Sequence, residues 1–158
     1  VIGLDLLPLF KWFETTMIGT VVRESLWLFP VIECVHLLAL AMLGGSVLMV
    51  DLRLMGFGLR TQPIAELASK VQPWFTGSLV AIIASGIPMF LSEAIKCYYS
   101  PPFWYKMGLL VLAISFALTL RKKVIATECR PERRWLTALT SLALWFGVGF
   151  SGRWIAFY

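Results

Sequence analysis

Between Leu26 and Val50 the chain reads LWLFPVIECVHLLALAMLGGSVLMV, an apolar run interrupted by Glu33, Cys34 and His36. About 20 mostly apolar residues suffice to cross the hydrocarbon core of a bilayer, so the run predicts a first membrane span, closed by Asp51 and Arg53. Three more runs follow. They extend from Trp74 to Ile95 with Pro88 inside, from Phe103 to Leu120 with Lys106 near the start, and from Trp135 to Tyr158 with Arg153 in the last turns. Pro88 is expected to kink its helix, which membrane proteins tolerate because neighbouring helices re-satisfy the freed backbone group. Residues 51–72 carry Asp51, Arg53, Arg60, Glu66 and Lys70 and read as a polar loop or a short surface helix. Residues 93–102 read as a short turn, and Arg121, Lys122 and Lys123 as a stop signal after the third span, with binding of acidic lipid or a partner subunit as the other use of that run.

Residues 1–24 are too polar to span, with Asp5, Lys11, Glu14, Arg23 and Glu24. Phe10, Phe13, Met17 and Val21 recur at helical spacing, which predicts an amphipathic helix in the membrane interface, broken near Gly19. An ordinary lead-in packed on the other helices is the alternative. The expected fold is all-α: a four-helix transmembrane bundle with an N-terminal amphipathic interfacial helix, residues 1–158 forming one integral membrane domain. Gly77, Ala81, Ala84 and Ser85, the Gly44–Gly45 pair, and Gly147 with Ser151 supply small residues for close helix contact.

Composition agrees with lipid as the solvent. The 158 residues are 59% hydrophobic with a mean hydropathy of +0.81, leaving too little polar surface for a water-soluble globule. The net charge of +5 would suggest nucleic acid in a soluble protein. Here the two loops at 51–72 and 121–134 hold nine of the 14 Lys and Arg, so the charge reports topology instead. Those loops are expected in the cytoplasm and both termini outside. Tyr98, Tyr99, Tyr105, Tyr158, Trp27, Trp104 and Trp154 would form an outer aromatic belt, with Trp74 and Trp135 marking the inner one. Cys34, Cys97 and Cys129 are too scattered for a disulfide framework. The first residue is Val1, so a start residue or short leader is expected ahead of it, with the first spans serving as insertion signals.

An ionisable residue inside a membrane helix is a functional hypothesis by default. Glu33 and His36 are three apart and can address one site, and His36 is the single histidine of the chain. At about 1.5 Å per residue it stands roughly 15 Å inside its span. Glu33 is expected to pair with Lys106 or Arg153. An imidazole at mid-span suits an axial position on a haem iron lying between helices, with Lys106 and Arg153 meeting the propionates. The structural alternative is a histidine bonded to Glu33 or to a carbonyl on another helix. Copper is a weak alternative: Cys34, Met42, Met89 and Met107 offer soft sulfur, but no Met-x-x-Met or Cys-x-x-Cys spacing occurs. No GxSxG, HExxH or phosphate-binding loop is present.

HLLALAMLGGSVLMVDLRL and PFWYKMGLLVLAISFAL resemble segments of the four-helix membrane superfamily that includes the copper-resistance D type proteins and the haem-containing membrane protoporphyrinogen oxidases. The chain looks most like an uncharacterised bacterial family of small four-helix membrane proteins. The resemblance implies haem b, with His36 as the iron ligand, Lys106 as a functional residue, and the bacterial cytoplasmic membrane as the location. A second axial ligand would then be Met89, Met107, a residue from another subunit, His36 of a twofold-related copy, or none. The expectation is a haem b binding membrane subunit for electron transfer or haem handling, an oxidoreductase component if it belongs to an enzyme. A cofactor-free accessory subunit of a larger membrane complex, associated with other subunits or with itself, is the competing class. A proton path through Glu33, His36 and Lys106 is a third.

Overall fold

The computed structural model describes residues 6–58, 63–127 and 129–157, and all regular structure among them is helical. Asp5, Arg60 and Tyr158, used above, lie outside the described residues. In chain order the elements are α1 (Leu7–Glu14), α2 (Met17–Glu24), α3 (Leu28–Leu54), α4 (Ile64–Ser92), α5 (Ala94–Tyr99) and α6 (Pro101–Phe116). A π-helical turn over Ala117–Arg121 leads into α7 (Lys122–Ala126), followed by α8 (Pro131–Trp154) and a 3-10 turn over Ile155–Phe157.

Three helices, α3, α4 and α8, are long and apolar enough to cross a membrane, with mean hydropathies of 2.0, 1.7 and 1.3 in their most apolar windows. Only 22, 28 and 33% of those windows is buried, so most of the apolar surface faces outward. The interior, by contrast, holds hydroxyls. Ser46, Ser78, Ser85, Ser92 and Thr137 are buried and donate to carbonyls three or four residues back on their own helices. Apolar outside and small polar residues at the helix contacts is the distribution lipid surroundings favour.

The helix ends differ from expectation for local reasons. Asp51 and Arg53 do not close the first span; they lie within α3. The helix stops one turn later, where Gly56 takes φ +87° and Phe57 and Gly56 donate to the carbonyls of Leu52 and Arg53 at 2.9 and 3.1 Å. That paired closure needs a left-handed residue, which glycine supplies. Helix α4 begins at Ile64, not Trp74, so residues 64–72 belong to it, and it holds Pro73 as well as Pro88. The turn expected at 93–102 contains α5, and the third span leaves α-helical geometry after Phe116.

The core joins Ala39, Leu43 and Val47 of α3 to Phe75 and Ile82 of α4, with Ala113, Ala117, Trp145 and Val148 opposite. Phe75 meets Trp145 edge to face at 5.9 Å. A second cluster of Val50, Leu54, Val124 and Ala138 closes the α7 end. Among the small residues, Gly147 lets α6 approach α8: a Cβ there would stand 3.1 Å from Leu109 Cδ1. Gly44, Gly45 and Gly77 have nothing within 4 Å of a built Cβ, so they mediate no described contact.

The N-terminal helices pack on the α5 end. Their break falls at Thr15–Thr16, where Thr16 caps α2, and not near Gly19, which is buried inside α2. Phe10 sits among Phe90, Tyr98 and Trp104, while Met17 and Val21 of α2 are exposed. Glu14 ties the region together. Its carboxylate accepts from Arg23 Nη1 at 2.8 Å and from the Ile95 amide at 3.0 Å, satisfying a free N–H in the first turn of α5.

Candidate functional site around His36

His36 projects from α3 onto α4, where Ser85 and Gly86 receive it. Nδ1 lies 2.9 Å from Ser85 Oγ. That hydroxyl has one hydrogen, directed at the carbonyl of Ala81 at 2.6 Å with Ile82 at 3.3 Å. Its oxygen is therefore left to accept, which favours the tautomer with the imidazole proton on Nδ1, donated to Ser85. Nε2 keeps a lone pair. Gly86 gives the ring its seat, since a Cβ there would stand 3.4 Å from His36 Cε1. The half-buried ring is thus oriented by α4, through Ser85 and the Ile82 backbone.

Lys106 approaches from α6. Its side chain lies across Gly152 of α8, with Nζ 3.3 Å from where a Cβ would stand, and its charge reaches both His36 and Cys97. Among the described residues its ammonium has neither an ion-pair partner nor a hydrogen-bonded acceptor. The thiol of Cys97, on α5, is pushed up to about 11, first by burial and then by the negative charge of Glu93. It is an inert neighbour and not a nucleophile.

The other sequence candidates are not gathered here. Glu33 is exposed on α3 and forms no ion pair among the described residues, so neither Lys106 nor Arg153 pairs with it; the described partners of His36 are Ser85 and the Ile82 backbone, both on α4. Arg153 is exposed and lies over the Phe157 ring at 5.7 Å. Met89 is partly buried one turn along α4 from Ser85, on the same face. Met107 is exposed, as are Cys34 and Met42, and on α3 the last two point away from the direction of His36. Among the described residues, no three His, Cys, Asp or Glu side chains come together around a metal-sized site.

A second polar centre lies at the α7 end. Arg121 does not stop a span in solvent: the π-helical turn carries it inward, where it is 7% exposed. Its Nε donates to Asp51 Oδ1 at 2.8 Å and Nη2 reaches the Val47 carbonyl at 3.4 Å. Asp51 is fully buried, and the Ser141 hydroxyl of α8 faces the same carboxylate as a second donor. Reading Asp51 and Arg121 as span ends conceals this pair. The available signal was their opposite charge at the same end of two spans whose flanking loops share a side.

Residues 9–158 match DUF6644, a family of unknown function, and the chain belongs to that family. No curated protein and no solved structure matches it.

Proposed function

We propose that the chain is an integral membrane subunit that binds haem b through His36 and serves electron transfer or haem handling. The observation that supports this reading is the His36–Ser85 contact, since a proton held on Nδ1 by Ser85 would leave Nε2 for iron. Lys106, from another helix and without a described anionic partner, is the group to meet a propionate, with Arg153 further along the same end of α8. His36 would supply one ligand to the iron. A second ligand would be Met89 or His36 of another copy, Met107 being exposed. Bound haem would supply a one-electron couple. The resemblance of the two sequence motifs to haem-containing membrane oxidases points the same way.

The membrane arrangement proposed with it has four spans. From Pro101 to Ala126, α6, the π-helical turn and α7 follow without a break, and at about 1.5 Å per residue that length exceeds the roughly 30 Å hydrocarbon core. The α7 end, with the basic loops, faces the cytoplasm of a bacterial cell, and α1 and α2 lie at the outer interface.

The test is an absorption spectrum of the protein purified after expression with haem supplied. A Soret band that sharpens on reduction is expected, abolished in His36→Ala and weakened in Lys106→Gln. A featureless spectrum after reconstitution with haem sinks the proposal. The second reading, a cofactor-free accessory subunit, draws on the same contact, because Ser85 already satisfies the imidazole within the chain. It predicts isolation in a stable assembly whose activity survives His36→Ala.

A further inference from the structure

At the α7 end, the close of α3, the start of α4 and the first turn of α8 line an open cavity of about 700 Å³. Two cations line it, Arg53 and Arg134, together with Trp135 and the apolar side chains of Leu54, Met55 and Leu136. Arg134 is partly buried, and among the described residues its Nε has no hydrogen-bond acceptor. Glu132 is the one carboxylate in the lining. Trp135 is half exposed at the boundary between the polar loop and the apolar face of α8, the position a membrane-interface tryptophan occupies.

Two guanidinium groups on one wall, whatever else they bond, call for an anion able to accept several N–H bonds at once, which a phosphate does. Free phosphate would make no use of the Leu54, Met55 and Leu136 wall. A phospholipid would use both. We propose that this cavity binds the headgroup of an anionic phospholipid, its phosphodiester on Arg134 and Arg53 and the upper acyl chains against the apolar wall. The site is separate from His36, at the other end of the helices, and stands whether or not haem binds there. Lys122 and Lys123, exposed and outside the lining, attract acidic lipid only diffusely.

The experiment measures lipid retention by native mass spectrometry, on the full chain in detergent titrated with phosphatidylglycerol, phosphatidylcholine or inorganic phosphate. Phosphatidylglycerol should bind in preference to phosphatidylcholine. Arg134→Gln should weaken it by about tenfold, the loss of one hydrogen bond to a charged group. Glu132→Gln should strengthen it, an opposite sign that misfolding would not produce. Lys122→Gln should leave it unchanged. Equal retention of the two lipids overturns the proposal, as does a Lys122→Gln loss equal to that of Arg134→Gln. Displacement of phosphatidylglycerol by millimolar inorganic phosphate would assign the cavity to a free anion and overturn the lipid assignment.

Discussion

Arg121 and Asp51 form an ion pair at 2.8 Å between the π-helical turn and α3, with the carboxylate shut off from solvent. Removing one partner leaves the other charged and buried, which is far worse than losing the bond itself. Arg121→Ala or Asp51→Ala should each destabilise the protein by about 3–5 kcal/mol. Replacing both with apolar residues of similar size, Asp51→Leu with Arg121→Met, should recover most of that loss. Thermal or denaturant unfolding in detergent gives the comparison; single variants as stable as wild type would show that the pair carries no buried charge.

The same pair shows how far sequence reading reaches. Hydropathy finds the helices because surroundings of lipid require apolar side chains over a fixed length, whatever the helices touch. It misplaces their ends, because Asp51 is retained in α3 by Arg121 and the stop is set by the Gly56 conformation. A partner on a distant helix leaves no periodic trace. His36 is legible as an odd residue in an apolar run, yet its partner Ser85 looks like one more small residue on α4. Glu33 stands out more in sequence and is exposed in the fold.

Gly19 presses on the backbone of α4. A Cβ there would lie 2.5 Å from the Leu91 carbonyl oxygen and 3.0 Å from its carbon, and backbone yields little. Gly19→Ala should therefore lift α2 off the α4 end, at about 1–3 kcal/mol. Hydrogen exchange should show faster opening in α2, with the α3–α4 contact protected as before. Unchanged α2 protection would mean that the helices are not in register as described.

Cys97 offers a pH test outside the spanning segments. With its pKa raised to about 11, the thiol stays protonated at pH 7 and the reactive thiolate is about one part in ten thousand. Maleimide should label the folded protein at Cys97 far more slowly than the denatured chain, with the rate rising as pH approaches 11. The linked stability effect has a definite sign. Between the ordinary thiol value of 9.0 and about 11 the unfolded chain binds fewer protons at this group than the folded one, so stability should fall as pH rises through that window. Rapid labelling at pH 7 would contradict the burial.

The state of His36 can be read directly because the chain has a single histidine. The Ser85 hydroxyl spends its hydrogen on the Ala81 carbonyl at 2.6 Å, so only the tautomer with the proton on Nδ1 gives both groups a partner. Nitrogen-15 NMR of histidine-labelled protein should show that tautomer before any ligand is added. Ser85→Ala removes the acceptor and should let the imidazole relax toward the Nε2-protonated form, with a destabilisation of about 1–3 kcal/mol for the lost buried hydrogen bond. Ser85→Thr keeps the hydroxyl and should preserve the spectrum if its methyl group is accommodated. A dominant Nε2–H signal in the unmodified protein would reverse the assignment and remove the lone pair that makes His36 a candidate ligand.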